Sequence, residues 1–169
     1  MGKIETAHNV NDHWCTPQEI WQPLIDEWGS IGLDPFSNPH SLIPARMRWS
    51  IWPRPLRNHE GTVWGVDSFD QSWDGWGLVF VNGPFSEAAR YLEKCATEGD
   101  EVVYLFKANM NARYVHNHVR PTANAIAFWE HRVRFVGAEY TATFHVALGY
   151  RGLNVDRFER AYADQAWVL

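Results

Sequence analysis

The feature that most restricts this chain is a run of four apolar residues, Leu78-Val79-Phe80-Val81, closed by Asn82-Gly83-Pro84-Phe85. Side chains alternate between the two faces of a strand, so a strand with no polar position has no face to offer water. Such a strand belongs inside a parallel sheet covered by helices on both sides, where its first polar residue falls at the carboxyl edge. The sequence that follows completes a strand-helix-strand unit. Ser86, then Ala88, Ala89, Leu92 and Cys95, predict a helix with a serine cap that ends near Gly99, and Val102 to Phe106 reads as a second buried strand.

Upstream, Gln18-Glu19-Ile20-Trp21 with Leu24, Ile25 and Trp28 gives helical spacing, stopped by Gly29. Ile31 to Asp34 reads as a short strand that Pro35 turns, which puts Asp34 at the strand's carboxyl end. Thr62 to Val66 is a further strand. Between them, residues 38–58 carry Pro39, Pro44, Pro53 and Pro55 among several Trp and Arg residues, a composition that predicts an irregular loop. Ala125 to Trp129, Arg132 to Val136 and Thr143 to Leu148 read as closing strands, and Val155 to Ala163 as a last helix. The alternation predicts a three-layer, Rossmann-like α/β domain with a mostly parallel sheet, and 169 residues suit a single domain over 1–169.

Composition narrows the partners. Hydrophobic residues make up 46%, with ten Trp, so a packed core is expected rather than disorder. A net charge of −5 argues against tight, free-standing duplex binding, although Arg46, Arg48, Arg54 and Arg57 form a stretch with no acidic residue inside it. Two distant cysteines, Cys15 and Cys95, give neither a disulfide framework nor a thiolate metal site, and a reducing cytoplasm is the expected compartment. Met1 to Asp12 has no apolar signal core and no long apolar run follows, so neither secretion nor membrane insertion is expected. His116 and His118 differ by two positions and diverge on the helix expected there, so no metal site is read from them.

The carboxyl edge carries the chemistry. An exocyclic amine can be turned toward an electrophile by two acceptors, one for each hydrogen, and the Asn82 side-chain oxygen with the Gly83 carbonyl is such a pair. Pro84 shapes the turn, and Phe85 could stack on a flat base. Asn82-Gly83-Pro84-Phe85 resembles the Asn/Asp-Pro-Pro-Tyr/Phe motif of Dam-type phage DNA N6-adenine methyltransferases, with Gly83 in place of the first proline. Three further segments resemble the same family in the same order: Asp12-His13-Trp14-Cys15-Thr16-Pro17, Leu33-Asp34-Pro35-Phe36-Ser37 and Asp67-Ser68-Phe69.

The resemblance implies methyl transfer to the exocyclic amine of a base, adenine N6 in DNA first, with S-adenosylmethionine as cofactor, DNA as partner and no metal. It implies catalytic roles for Asn82, Gly83, Pro84 and Phe85. Trp14, Thr16, Pro17, Asp34, Pro35, Phe36 and Ser37 would hold the methionine and ribose end of the cofactor, and Asp67 with Phe69 its adenine. Arg46, Arg48, Trp49, Lys107, Asn109 and Arg113 are the candidate nucleic-acid contacts. No acidic residue at the end of the second strand offers itself to the ribose. The lack of a sizeable recognition insertion implies relaxed sequence specificity. Proline in place of Gly83 is expected to be tolerated, because it presents the same carbonyl. Two other readings stay open: a methyltransferase-like binding or inhibitory protein, and an enzyme of this architecture acting on RNA or a free nucleotide.

Overall fold

The computed structural model describes residues 14–53 and 60–169. Within them one eight-stranded sheet is built from β1 (Leu33–Asp34), β2 (Met47–Ser50), β3 (Thr62–Trp64), β4 (Leu78–Val81), β5 (Glu101–Lys107), β6 (Ala125–Trp129), β7 (Val146–Arg151) and β8 (Ala166–Val168). The strand order is β3-β2-β1-β4-β5-β7-β6-β8. Parallel pairings join β1 to β5, whereas β7 is antiparallel to both β5 and β6, and β8 is antiparallel to β6. Strands β1 to β6 therefore share one direction and only β7 and β8 oppose it, as a mostly parallel α/β sheet requires.

Three helices cover the faces: α1 (Gln18–Trp28), α2 (Ala88–Thr97) and α3 (Val155–Tyr162). Alternation along β4 sends Leu78 and Phe80 to one side, with Ile20, Trp21 and Leu24 of α1 and Phe158 and Tyr162 of α3. It sends Val79 and Val81 to the other, with Ala88, Tyr91, Leu92 and Cys95 of α2. Strand β5 divides in the same way, Val103 and Leu105 against Val102, Tyr104 and Phe106. The two outer helices of the first side are tied where Tyr162 Oη donates to the Ile20 carbonyl at 2.7 Å. Helix α1 stops where Gly29, at φ 81°, donates its N–H to the Ile25 carbonyl, a left-handed cap that glycine adopts at no steric cost.

Several expectations are corrected. A strand, β2, lies inside the stretch read as wholly irregular, because Trp49 and Ser50 are buried and pair with β3. Arg132 to Val136 is not a ladder strand; its sheet contact is one bridge between Val136 and Cys15. The strand expected at Thr143 to Leu148 starts three residues later and extends to Arg151. Strand β8 was not anticipated, and Ser86 does not cap α2 but sits within a short 3-10 turn, Phe85–Glu87, ahead of it. Asp12, His13, Arg54, Arg57 and Pro55 lie outside the described residues. No helix among the described residues is long and apolar enough to cross a membrane.

Phe80 is fully buried between β4 and the helices of the first side. Phe80→Ala should lower the unfolding free energy by about 3–5 kcal/mol, the usual cost of emptying an aromatic core position. Trp167→Ala, at a position 63% exposed on β8, should stay within about 0.5 kcal/mol. Urea unfolding of the two variants beside the parent measures both.

Candidate active site

Strands β1 and β4 are neighbours, with Leu33 opposite Val79, and the strand order changes direction between them. Connections leave this point on opposite sides, so a crevice opens beyond the carboxyl ends of the two strands. Asp34 ends β1, and Asn82 follows β4 directly. The first two polar residues of the buried strands therefore meet at one place.

Two clefts open there. The larger, about 670 Å³, has Phe36, Phe69, Ile51 and Trp52 among its walls, and Asp67 and Glu87 as its carboxylates. The smaller, about 420 Å³, includes Trp14, Thr16, Asp34, Asn82, Gly83 and Phe85. Phe36, Asn38 and Asn82 line both, so the clefts share a wall at the end of β4.

Asn82 is held by the segment before α1. Its Nδ2 donates to Thr16 Oγ1 at 2.9 Å, across 66 residues of sequence. This bond uses the donor end of the amide and leaves Oδ1 as its acceptor. The Thr16 segment is itself fixed, because Cys15 and Val136 exchange backbone hydrogen bonds of 3.2 and 2.9 Å. Pro17 precedes α1 and gives its carbonyl to the N–H of Ile20, so its part is to start the helix.

Asp34 is 1% exposed. Burial pushes its carboxyl up to about 6, against the opposing pull of hydrogen bonds from the Ser37 side chain, the Phe36 backbone and the Ser41 hydroxyl, and of the Arg48 charge. The Ser41 hydroxyl lies 3.3 Å from Oδ2. Asp67 stands at the rim of the larger cleft, where its Oδ1 accepts the Phe69 N–H at 3.0 Å and caps a 3-10 turn, Ser68–Asp70. Pro35 and Ser37 follow Asp34 into the wall of that cleft, with the Ser37 N–H given to the Trp49 carbonyl.

Beside the smaller cleft is an aromatic group that the sequence reading missed. Phe85 meets Phe144 edge-on at 5.2 Å and Phe135 at 6.2 Å, while Trp14 lies nearly parallel to Phe135 at 5.6 Å. The Lys107 ammonium lies 4.3 Å from the centre of the Phe144 ring and 5.1 Å from that of Phe85. Arg90, also missed, lays its guanidinium 3.7 Å over Phe69 at the larger cleft.

The other nucleic-acid candidates fall elsewhere. Trp49 is buried in the core, edge-on to Trp76 at 5.7 Å, and cannot stack on a base. Arg46 precedes β2 at the opposite, amino edge of the sheet and donates to the Trp76 carbonyl. Arg48 gives its guanidinium to the carbonyls of Ile43 and Glu60. Asn109 accepts the Asn111 N–H in a local turn, and Arg113 is exposed in the segment after β5. The expected tolerance of proline at 83 is also corrected: a Cβ there would fall 2.5 Å from Cδ1 of Tyr91. Among the described residues no group of three or more His, Cys, Asp or Glu could hold a metal ion.

The buried carboxyl makes a stability prediction. Because the folded-state value of about 6 lies above the ordinary 3.8, the folded chain keeps a proton that the unfolded chain releases, and stability falls as pH rises from about 4 through 6. Asp34→Asn keeps one of the two acceptor oxygens and removes the titration. Its melting temperature relative to that of the parent should rise from pH 4 to 6 and level off above; a structural ion-pair carboxylate would give the reverse. Compared with models of known protein families and with curated protein sequences, the chain matches none.

Proposed function

We propose that the chain transfers a methyl group from S-adenosylmethionine to the exocyclic amine of a nucleic-acid base, with adenine N6 in DNA as the first substrate. The observation that carries this reading is the acceptor pair at the end of β4: an Asn82 amide whose donor end is taken by Thr16, next to the Gly83 carbonyl. Acceptors on both hydrogens of an amine turn its lone pair out of the base plane and toward an electrophile, and this interaction strengthens as the nitrogen gains positive charge.

The two clefts suit the cofactor's two ends. A flat nucleoside fits the aromatic walls of the larger cleft, with Asp67 in reach of an adenine amine. An ammonium group fits beside Asp34, whose buried carboxyl gains most from a cation. Bound S-adenosylmethionine supplies a methyl group activated by a sulfonium. The chain's own residues hold the amine through Asn82 and Gly83 and flank the base with Phe85. Lys107 and Arg113, on and after β5, offer positive charge to a phosphate backbone in a protein that is acidic overall.

Isothermal titration with S-adenosylmethionine, and incubation with the labelled cofactor and DNA followed by nucleoside mass spectrometry, test the reading. Asp34→Ala should abolish binding, and affinity in the parent should rise as pH climbs through about 6, where the carboxyl ionises. Asn82→Ala should slow transfer by about 100-fold or more, the scale of losing one group aimed at the reacting centre. Asn82→Asp keeps an acceptor and should retain part of the rate. Equal binding by the parent and Asp34→Ala, or undiminished turnover by Asn82→Ala, would remove those residues from the mechanism.

A further inference from the structure

Tyr91 touches no ligand in this reading, yet the Gly83 backbone rests on it. The side chain is fully buried on α2. Its hydroxyl donates to the Leu105 carbonyl of β5 at 3.0 Å, and its ring meets Phe36, just beyond β1, at 6.3 Å. It therefore links the elements on both sides of the crevice.

A Cβ added to Gly83 would lie 2.5 Å from Cδ1, 2.6 Å from Cγ and 3.1 Å from Cβ of Tyr91. The Tyr91 ring thus takes up the volume that any side chain at 83, including a prolyl ring, would occupy. Gly83 is absent from the glycines with positive φ, so glycine is required here for space and not for a left-handed backbone. The ring cannot easily swing aside, because it is enclosed by the α2 core and anchored at its far end on β5.

We propose that Tyr91 is the positioning residue for the Gly83 carbonyl, its ring pressed on the bare Cα doing by contact what the first proline of the Asn-Pro-Pro pattern does by covalent restraint. The two acceptors are then pinned from opposite directions, Asn82 by Thr16 and Gly83 by Tyr91. Glycine at 83 and tyrosine at 91 form one unit: each makes sense only with the other. This inference rests on the methyl-transfer reading and adds to it a residue that sets the geometry without touching the base.

The test uses the full chain with Gly83→Pro, Tyr91→Ala, Tyr91→Phe and the double Gly83→Pro/Tyr91→Ala, in which the clashing Cγ and Cδ1 are gone, each assayed for melting temperature, cofactor affinity, kcat and KM at a temperature where circular dichroism shows it folded. Tyr91→Phe keeps the ring and should hold kcat within a few-fold of the parent. Tyr91→Ala should lose about 100-fold in kcat with a much smaller change in KM, the signature of a misplaced reacting group. Gly83→Pro alone should be strongly destabilised and inactive, and the double variant should recover both melting temperature and kcat relative to it.

Tyr91→Ala turning over at the parental kcat, or a double variant no better than Gly83→Pro alone, overturns the proposal. The double variant decides even if Tyr91→Ala is too unstable to assay, since it either rescues Gly83→Pro or does not. A parent protein that moves no label onto nucleic acid overturns the methyl-transfer reading and the positioning role with it. That result is told apart from the others because it appears before any substitution is made.

Discussion

Burial of β4 on both faces is the constraint from which the rest of the molecule follows. A four-residue strand with every position buried leaves no place for a polar side chain until the strand ends, so Asn82 is placed by exclusion at the carboxyl edge. The same demand calls for helices on two sides, which α1 and α3 meet on one and α2 on the other. In the adjacent β1, Asp34 reaches the same edge as the strand's last residue, buried but held by the Ser41 hydroxyl. Neither residue needed a special local structure. The site is where the apolar runs stop.

What could be read from the sequence was what repeats within it. The spacing at Ile20, Trp21 and Leu24 and the runs in β4 and β5 each specify an element through several residues at once, and those elements lie where they were expected. Elements set by contacts from elsewhere were not legible. Strand β2 is flanked by prolines and holds only because Trp49 finds Trp76 and its backbone finds β1 and β3. Strand β7 runs on past the expected Leu148 through Gly149, where the missing side chain makes room for the Tyr104 ring; a Cβ there would lie 2.2 Å from it. Nothing in the local pattern of glycine announces a tyrosine on the neighbouring strand.

The same division holds at the site. Thr16, Asp34, Asn82, Gly83 and Phe85 were named from short segments, and the fold brings them to one cleft. Phe135 and Phe144 were missed because they come from a segment without regular strand pairing, held by the bridge of Val136 to Cys15 and by the bond of the Ala142 N–H to the Val133 carbonyl. Trp49 and Arg48 were misjudged for the opposite reason. A Trp and Arg cluster among prolines looks like an exposed gripping loop, but here the indole is core and the guanidinium is used on two backbone carbonyls. Charge and aromaticity give the residue type of a contact surface, and only burial says whether it is one.

The chemical character of the smaller cleft bears on which reaction class the proposal belongs to. Among the described residues its titratable lining groups are Cys15 and Asp34. Burial raises the Cys15 thiol and so removes it further from the thiolate that a nucleophile needs. Asp34 is the other, and it sits among donors that already hold it. At Asn82 and Gly83 the cleft presents acceptors without a proton to give or an atom to add to a substrate. An acid-base step in this lining would run through Asp34, whose carboxyl changes protonation at about 6, whereas the acceptor pair itself takes up no proton and forms no covalent bond. It is well equipped to orient N–H groups toward an electrophile brought by another molecule. The proposed methyl transfer to an amine is therefore supported by the acceptor pair itself, the Asn82 side-chain oxygen beside the Gly83 carbonyl.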